Sequence, residues 1–144
     1  MAPLIALIAS FLVFRLLGLA GWTYMNDWHT SLQGAVAVMF LLTASAHWGR
    51  RRPDLVRMVP PSLPQPELLV TLTGLLELAG AVGILLPATS SLASVLLVIL
   101  LILMFPANVR AARERLTIAG ALTPRLIPRT LMQLLFLAAV WLAG

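Results

Sequence analysis

The run "PELLVTLTGLLELAGAVGILLP", residues 66–87, constrains the fold more than any other stretch. Beyond its first turn it carries a single charge, Glu77, among apolar and small residues. It matches the ~20 residues that a helix needs to cross the hydrocarbon of a bilayer. Inside hydrocarbon the backbone finds no water, so such a run must satisfy its own N–H and C=O groups as a helix. Apolar runs recur at 3–22, 31–48, 92–106 and 128–142. The run 3–22 also reaches spanning length, whereas 31–48, 92–106 and 128–142 need flanking residues to do so. Composition points the same way. The 144 residues are 60% hydrophobic and 10% charged, where a soluble domain has roughly 45–50% and about 25%. The expectation is an all-α integral membrane helix bundle with five spans, forming one domain over residues 1–144. No length remains for a separate soluble catalytic domain.

There is no cysteine, which excludes a disulfide framework, a thiolate nucleophile and thiolate-held metal clusters. The net charge is +5 and all ten basic residues are Arg. In a soluble protein a pI near 11.6 would suggest nucleic acid. Here the arginines gather at the ends of apolar runs, where membrane orientation and anionic headgroups explain them. The expected partner is the lipid bilayer, not nucleic acid.

The loops set the orientation. Residues 49–65 carry Arg50, Arg51, Arg52 and Arg57 against Asp54. Residues 107–127 carry Arg110, Arg113, Arg115 and Arg125 against Glu114, with Arg129 just beyond. Residues 23–30 and 88–91 carry no Arg. Positive charge collects on the cytoplasmic side of a membrane protein. The N-terminus is therefore expected in the cytoplasm and the C-terminus outside, in a cytoplasmic (inner) membrane. No Lys or Arg precedes the first apolar run, and Arg15 interrupts it, which favours a retained helix over a signal peptide. The Pro-rich stretch "RRRPDLVRMVPPSLPQPELL" should be stiff and irregular, with one short interfacial turn over 53–59. Pro66 then Glu67 suits a helix start. Pro106 should kink or end the fourth helix, with "NVRAARERL" continuing helically along the cytoplasmic surface.

Glu77 and Arg15 are the charged residues well inside the spans, and such residues usually face the bundle interior and find partners. At ~1.5 Å per residue, Arg15 lies ~18 Å from Pro3 and Glu77 ~16 Å from Pro66. Both helices run outward, so a Glu77–Arg15 ion pair is geometrically open if they touch. Two other readings stay open: a neutral Glu77 bonded to a neighbouring helix, and Glu77 as a ligand or proton site in a cavity. Thr73, Gly74, Glu77, Gly80, Ala81 and Ile84 share one helical stripe, which suits close helix packing or a cavity wall. A second polar group falls at the cytoplasmic edge: Thr43 and His47 at i, i+4, Asn108 in "FPANV" and Gln133 in "PRTLMQLL". These either surround an entrance or anchor helix ends at the interface. His29 and His47 fall at opposite membrane faces, so no bis-His haem site forms. No H-E-x-x-H, Gly-rich phosphate loop or Ser-His-Asp set is present, and the residues offer neither a catalytic centre nor a metal site.

The stretch from His47 to Asn108 resembles the DoxX-like family of small bacterial membrane proteins. The matching pieces are "AHW", "RMVPPSLPQPELLVTLTGLLELAGAVGILLP" and "MFPANVRAA", with the G-x-x-E-x-x-G pattern about Glu77. "RTLMQLLFLAAVW", including Gln133, is similar to the family's last helix. The resemblance covers residues 31–142. It implies a four-helix core over 31–144, to which 1–30 add an N-terminal helix and outer loop, and it makes Glu77 the family's signature acid. Some members of that family are described as membrane subunits associated with quinone-linked thiosulfate oxidation. Others are tied to oxidative stress, and distant relatives resemble assembly chaperones.

Together these features lead us to expect an accessory or binding protein with an intramembrane pocket around Glu77. It would hold a lipid- or quinone-like ligand, or a partner helix, with Thr73 beside the acid and His47, Asn108 and Gln133 at the mouth. Arg15 enters as Glu77's candidate counter-ion. The alternatives are a membrane subunit of a quinone-linked oxidoreductase, a small proton-linked transporter and an assembly chaperone. A membrane-protein partner or a homo-oligomer is compatible with each. No cofactor is evident beyond a quinone or lipid as ligand.

Overall fold

The computed structural model describes residues 1–144 as six helices and one small hairpin. Helix α1 spans Ala2–Leu19, followed by a 3-10 turn at Thr23–Met25. Helix α2 spans Trp28–Ser45, and the short α3 spans Arg52–Met58. Helices α4, Pro66–Leu85, and α5, Ser90–Arg113, follow. Strands β1, Thr117–Ile118, and β2, Ala121–Leu122, pair antiparallel before α6, Leu126–Ala143. Four helices, α1, α4, α5 and α6, are long and apolar enough to cross a membrane. The fourth apolar run does not stop at Pro106, because α5 continues through it to Arg113. The short turn expected within 53–59 forms as α3.

α2 has the same length as α1 and α6 but a polar first turn, Trp28 to Ser31, and Gln33 behind it. That turn lowers its hydropathy. Its middle is nevertheless the most enclosed part of the molecule, with Ala35, Val36, Met39 and Phe40 buried. The reason is its position. α2 packs against α1, α4 and α6, while α4 packs on α5 and α5 on α6. Helices α2, α4, α5 and α6 thus close a four-helix ring, and α1 lies against α2 on the outside.

The ring's core is filled by Phe40, Met39, Ile84, Leu97 and Val140. Polar side chains there bond to backbone across helices. Ser94 Oγ donates to the Val140 carbonyl at 2.8 Å and Gln33 Nε2 to the Ala143 carbonyl at 2.9 Å. Such bonds satisfy groups that would be costly to leave bare in an apolar interior. The outward faces carry Leu12, Leu16, Leu75, Leu76, Leu96, Leu103 and Leu134, all exposed. A continuous apolar exterior of this kind marks a surface covered by something apolar.

The hairpin lies in the second Arg-rich loop, just past the stretch 108–116 that was expected to continue helically and that α5 covers as far as Arg113. Its central residues, Ala119 (φ 53°) and Gly120 (φ 78°), both have positive φ, as a two-residue I′ hairpin turn requires. The hairpin is held to α3. Ala119 N–H donates to Asp54 Oδ2 at 3.0 Å. Arg57 donates to the Asp54 carboxylate and, at 3.4 Å, to the Thr117 carbonyl. The Ala119 N–H, with Arg57 adding to it, holds the Asp54 carboxyl below its ordinary value.

Candidate functional site

Glu77 lies on the inner face of α4, where Val70, Gly74, Glu77, Ala81 and Ile84 are buried. It is 3% exposed and His47 is 4% exposed. A carboxyl group so enclosed must be neutral or partnered. Its partners come from α2 and the turn after it. Thr43 Oγ1 donates to Glu77 Oε2 at 2.6 Å, and His47 Nε2 stands 3.4 Å from Oε1. The spacing 43, 47 brings the last turn of α2 and the turn after it to Glu77 from one side.

The tautomer of His47 follows from its other nitrogen. Nδ1 is 2.6 Å from the Val70 carbonyl, which can only accept, so Nδ1 carries a hydrogen. The Thr73 hydroxyl lies 3.4 Å from the same nitrogen and itself donates back to the Leu69 and Val70 carbonyls. Nε2 is then left 3.4 Å from Glu77 Oε1, and one added proton can sit on either atom. On Nε2 it gives an imidazolium–carboxylate pair; on Oε1 it gives a carboxylic acid facing a neutral imidazole. Thr43 can donate to Oε2 in either state. The arrangement can therefore exchange a proton without breaking its other bonds.

Close approach makes this possible. A Cβ at Gly74 would stand 2.8 Å from Cβ and Cγ of His47 and 2.8 Å from Trp48 Cη2. Glycine lets the turn after α2 lie directly on α4. Arg52 fastens the same junction, donating to the His47 carbonyl at 2.7 Å, the Glu67 carbonyl at 3.0 Å and Thr71 Oγ1 at 2.8 Å.

Glu77 and His47 line a cavity of about 430 Å³ that opens toward the Arg-rich loops. Binding pockets for small molecules generally measure ~300–1,000 Å³ and are mostly apolar with a few converging polar groups. Here the polar groups are Thr43, His47, Glu77, Asn108, Arg129 and Gln133, with Arg51 near the loops. The apolar wall includes Met39, Phe40, Leu101, Met104, Met132 and Phe136. The hairpin contributes Ile118, Ala119 and Leu122, and the start of α1 contributes Met1 to Pro3. Gln133 Nε2 donates to the Leu101 carbonyl at 2.7 Å, and Arg129 Nη2 donates to Asn108 Oδ1 at 2.7 Å.

Five of the six residues singled out in the sequence thus gather here: Glu77, His47, Asn108 and Gln133 line the cavity, and Thr73 supports His47. Arg15 does not join them. It donates to the Asn26 carbonyl near the 3-10 turn, and the Glu77–Arg15 pairing is replaced by Thr43 and His47. The physical reason is that α1 packs on α2, while α2 is the helix that meets α4. Sequence reasoning missed Arg129 and the hairpin. The i, i+4 spacing of Arg129 and Gln133 was the available signal for the first, and the Ala-Gly pair between "TI" and "AL" for the second.

The fold and site define a helical bundle with four apolar, span-length helices and a polar-based internal cavity. The chain belongs to a family described only as a domain of unknown function (DUF8561), which matches residues 36–143. The match takes in most of α2 and everything after it, and leaves α1 outside. No curated protein and no solved structure matches the chain.

Proposed function

We propose that this chain is a five-span protein of the cytoplasmic membrane, with α2 as the fifth span. Its N-terminus lies in the cytoplasm and its C-terminus outside. It acts as an accessory or binding protein, holding a lipid- or quinone-like molecule in the cavity whose base is Glu77. The observation that carries this reading is the convergence of Thr43, His47, Glu77, Asn108, Arg129 and Gln133 on one 430 Å³ cavity whose remaining lining is mostly apolar. The orientation draws support from the cavity mouth, where Met1, the turn after α2 and the second Arg-rich loop meet at one end of the bundle. The ring of α2, α4, α5 and α6 with α1 outside it suits the DoxX-like relationship proposed from the motifs.

The test is to purify the protein with its native lipids and identify bound small molecules by mass spectrometry, for wild type and Glu77→Gln. A stoichiometric lipid or quinone that the variant loses supports the reading. A cavity that retains nothing, and takes up neither decylubiquinone nor a lipid, refutes it. A second reading, a membrane subunit of a quinone-linked oxidoreductase, is favoured by one observation: the 3.4 Å approach of His47 Nε2 to Glu77 Oε1, a pair that can take up a proton. Quinone reduction takes up protons with electrons, and the electrons would come from a partner protein. Co-purification of an oxidoreductase with a redox centre would favour that second reading.

A further inference from the structure

Arg129 is a cation in the cavity wall that no acid balances. Its Nη2 donates to the neutral amide oxygen of Asn108 at 2.7 Å. Its Nε is closed off from solvent and has no hydrogen-bond partner. The acids at this end of the bundle that pair are committed elsewhere: Glu77 to Thr43 and His47, Asp54 to Arg57 and Ala119, and Glu114 to Arg110. Arg51, which also lines the cavity, adds a second positive charge. A buried donor left without an acceptor is costly, and a half-buried cation facing a cavity attracts a counter-charge. The fork of an arginine fits the paired oxygens of a carboxylate or phosphate.

The surroundings say what such an anion is attached to. Arg129, Met132, Gln133 and Phe136 recur at i, i+3, i+4 and i+7 and line the cavity from one face of α6. Moving inward from the cation, that face is apolar apart from Gln133, whose amide nitrogen is already bonded to the Leu101 carbonyl. Met104 and Phe40 face the same space. A free inorganic anion would leave these walls unused.

We infer that the cavity takes an anionic amphiphile, with its carboxylate or phosphate head on Arg129 and Arg51 and its apolar part among Met104, Met132 and Phe136. This rests on the pocket reading above and names the charge of its ligand. Glu77 and His47 belong to the same cavity but to other helices, and the Glu77 carboxyl is already bonded to Thr43. They leave the head-group role to the arginines.

The experiment titrates dodecyl phosphate, dodecanol and inorganic phosphate into the full chain in neutral-detergent micelles, read by calorimetry. A bond to a charged group is worth enough that Arg129→Gln should weaken dodecyl phosphate by about 10- to 100-fold. Arg129→Lys should retain most of the affinity. Dodecanol should bind wild type more weakly and be indifferent to Arg129→Gln. Asn108→Asp gives a second, nearly isosteric test, because it sets a built-in carboxylate against the guanidinium. It should weaken dodecyl phosphate and leave dodecanol unchanged. If both dodecyl compounds bind wild type equally and neither substitution changes that, the anion inference is wrong and the pocket reading stands. If inorganic phosphate binds as tightly as dodecyl phosphate, the amphiphile is wrong. If neither dodecyl compound binds, the pocket reading falls as well.

Discussion

The Thr43–Glu77 hydrogen bond ties α2 to α4, and its contribution can be isolated. The perturbation is a double-mutant cycle of Thr43→Val, Glu77→Leu and the pair. Valine keeps the shape of threonine and removes the hydroxyl. The bond is short, 2.6 Å, with a carboxyl acceptor that is 3% exposed. In soluble proteins a hydrogen bond to a charged group contributes ~1.5–3 kcal/mol. Inside membranes, side-chain hydrogen bonds average ~0.6 and reach ~1.7 kcal/mol, because the unfolded chain also finds partners. The short length and the carboxyl place this bond in the upper part of the second range, so a coupling of about 1–1.7 kcal/mol is expected. Unfolding in mixed detergent micelles, followed by tryptophan fluorescence, measures each corner of the cycle. The Glu77→Leu corner also strands His47, but that loss cancels in the cycle. Additive effects, within ~0.5 kcal/mol, would refute the view that this pair joins the two helices.

Gly74→Ala should destabilise the protein by ~1–3 kcal/mol through overpacking, and the added methyl should push His47 away from Glu77; micelle unfolding measures the first and the imidazole's NMR shifts the second. Arg15→Leu should leave dodecyl phosphate binding unchanged, because Arg15 serves the Asn26 carbonyl; weakened binding would show that α1 shapes the cavity from a distance. Asp54 has a depressed pKa in the folded protein, chiefly through the Ala119 N–H. A depressed carboxyl stabilises above its unfolded value, near ~3.9, and loses that contribution as the pH falls through its lower folded value. Hydrogen exchange at the Ala119 amide should accordingly gain protection from Asp54 at neutral pH and lose it in acid, and Asp54→Asn should remove that pH dependence.

Much of the bundle was legible because hydrophobic length and charge placement are local properties. The runs about Glu77, Leu97 and Phe136 became α4, α5 and α6, and the stripe of Gly74, Glu77, Ala81 and Ile84 is the buried face of α4. Other features depend on what packs where. Arg15 looked like a counter-ion by depth, but its acceptor is a backbone carbonyl that no residue type announces. α2 has the weakest hydropathy of the long helices because of Trp28, His29, Thr30, Ser31 and Gln33, yet its middle is the most enclosed. Its neighbours, not its composition, enclose it. The hairpin was hidden because Ala-Gly is a weak turn pair beside Asn-Gly or Asp-Gly. Thr43 was visible beside His47 by spacing, but its bond to Glu77 required the crossing of α2 and α4.

The order in which these contacts become available matters for how the chain is made. Synthesis proceeds from the N-terminus, so folding units tend to form in that order. Thr43 and His47 precede Glu77 in sequence, and α2 is complete before α4 leaves the ribosome. The carboxyl therefore meets its partners as soon as its own helix emerges, and does not have to wait for α5 or α6. Arg129 follows last, after Asn108 and after the Asp54–Ala119 tie can close the roof. Nascent chains halted after α4 has left the ribosome but before Arg129 has should accordingly hold a finished acid site beneath an unfinished chamber.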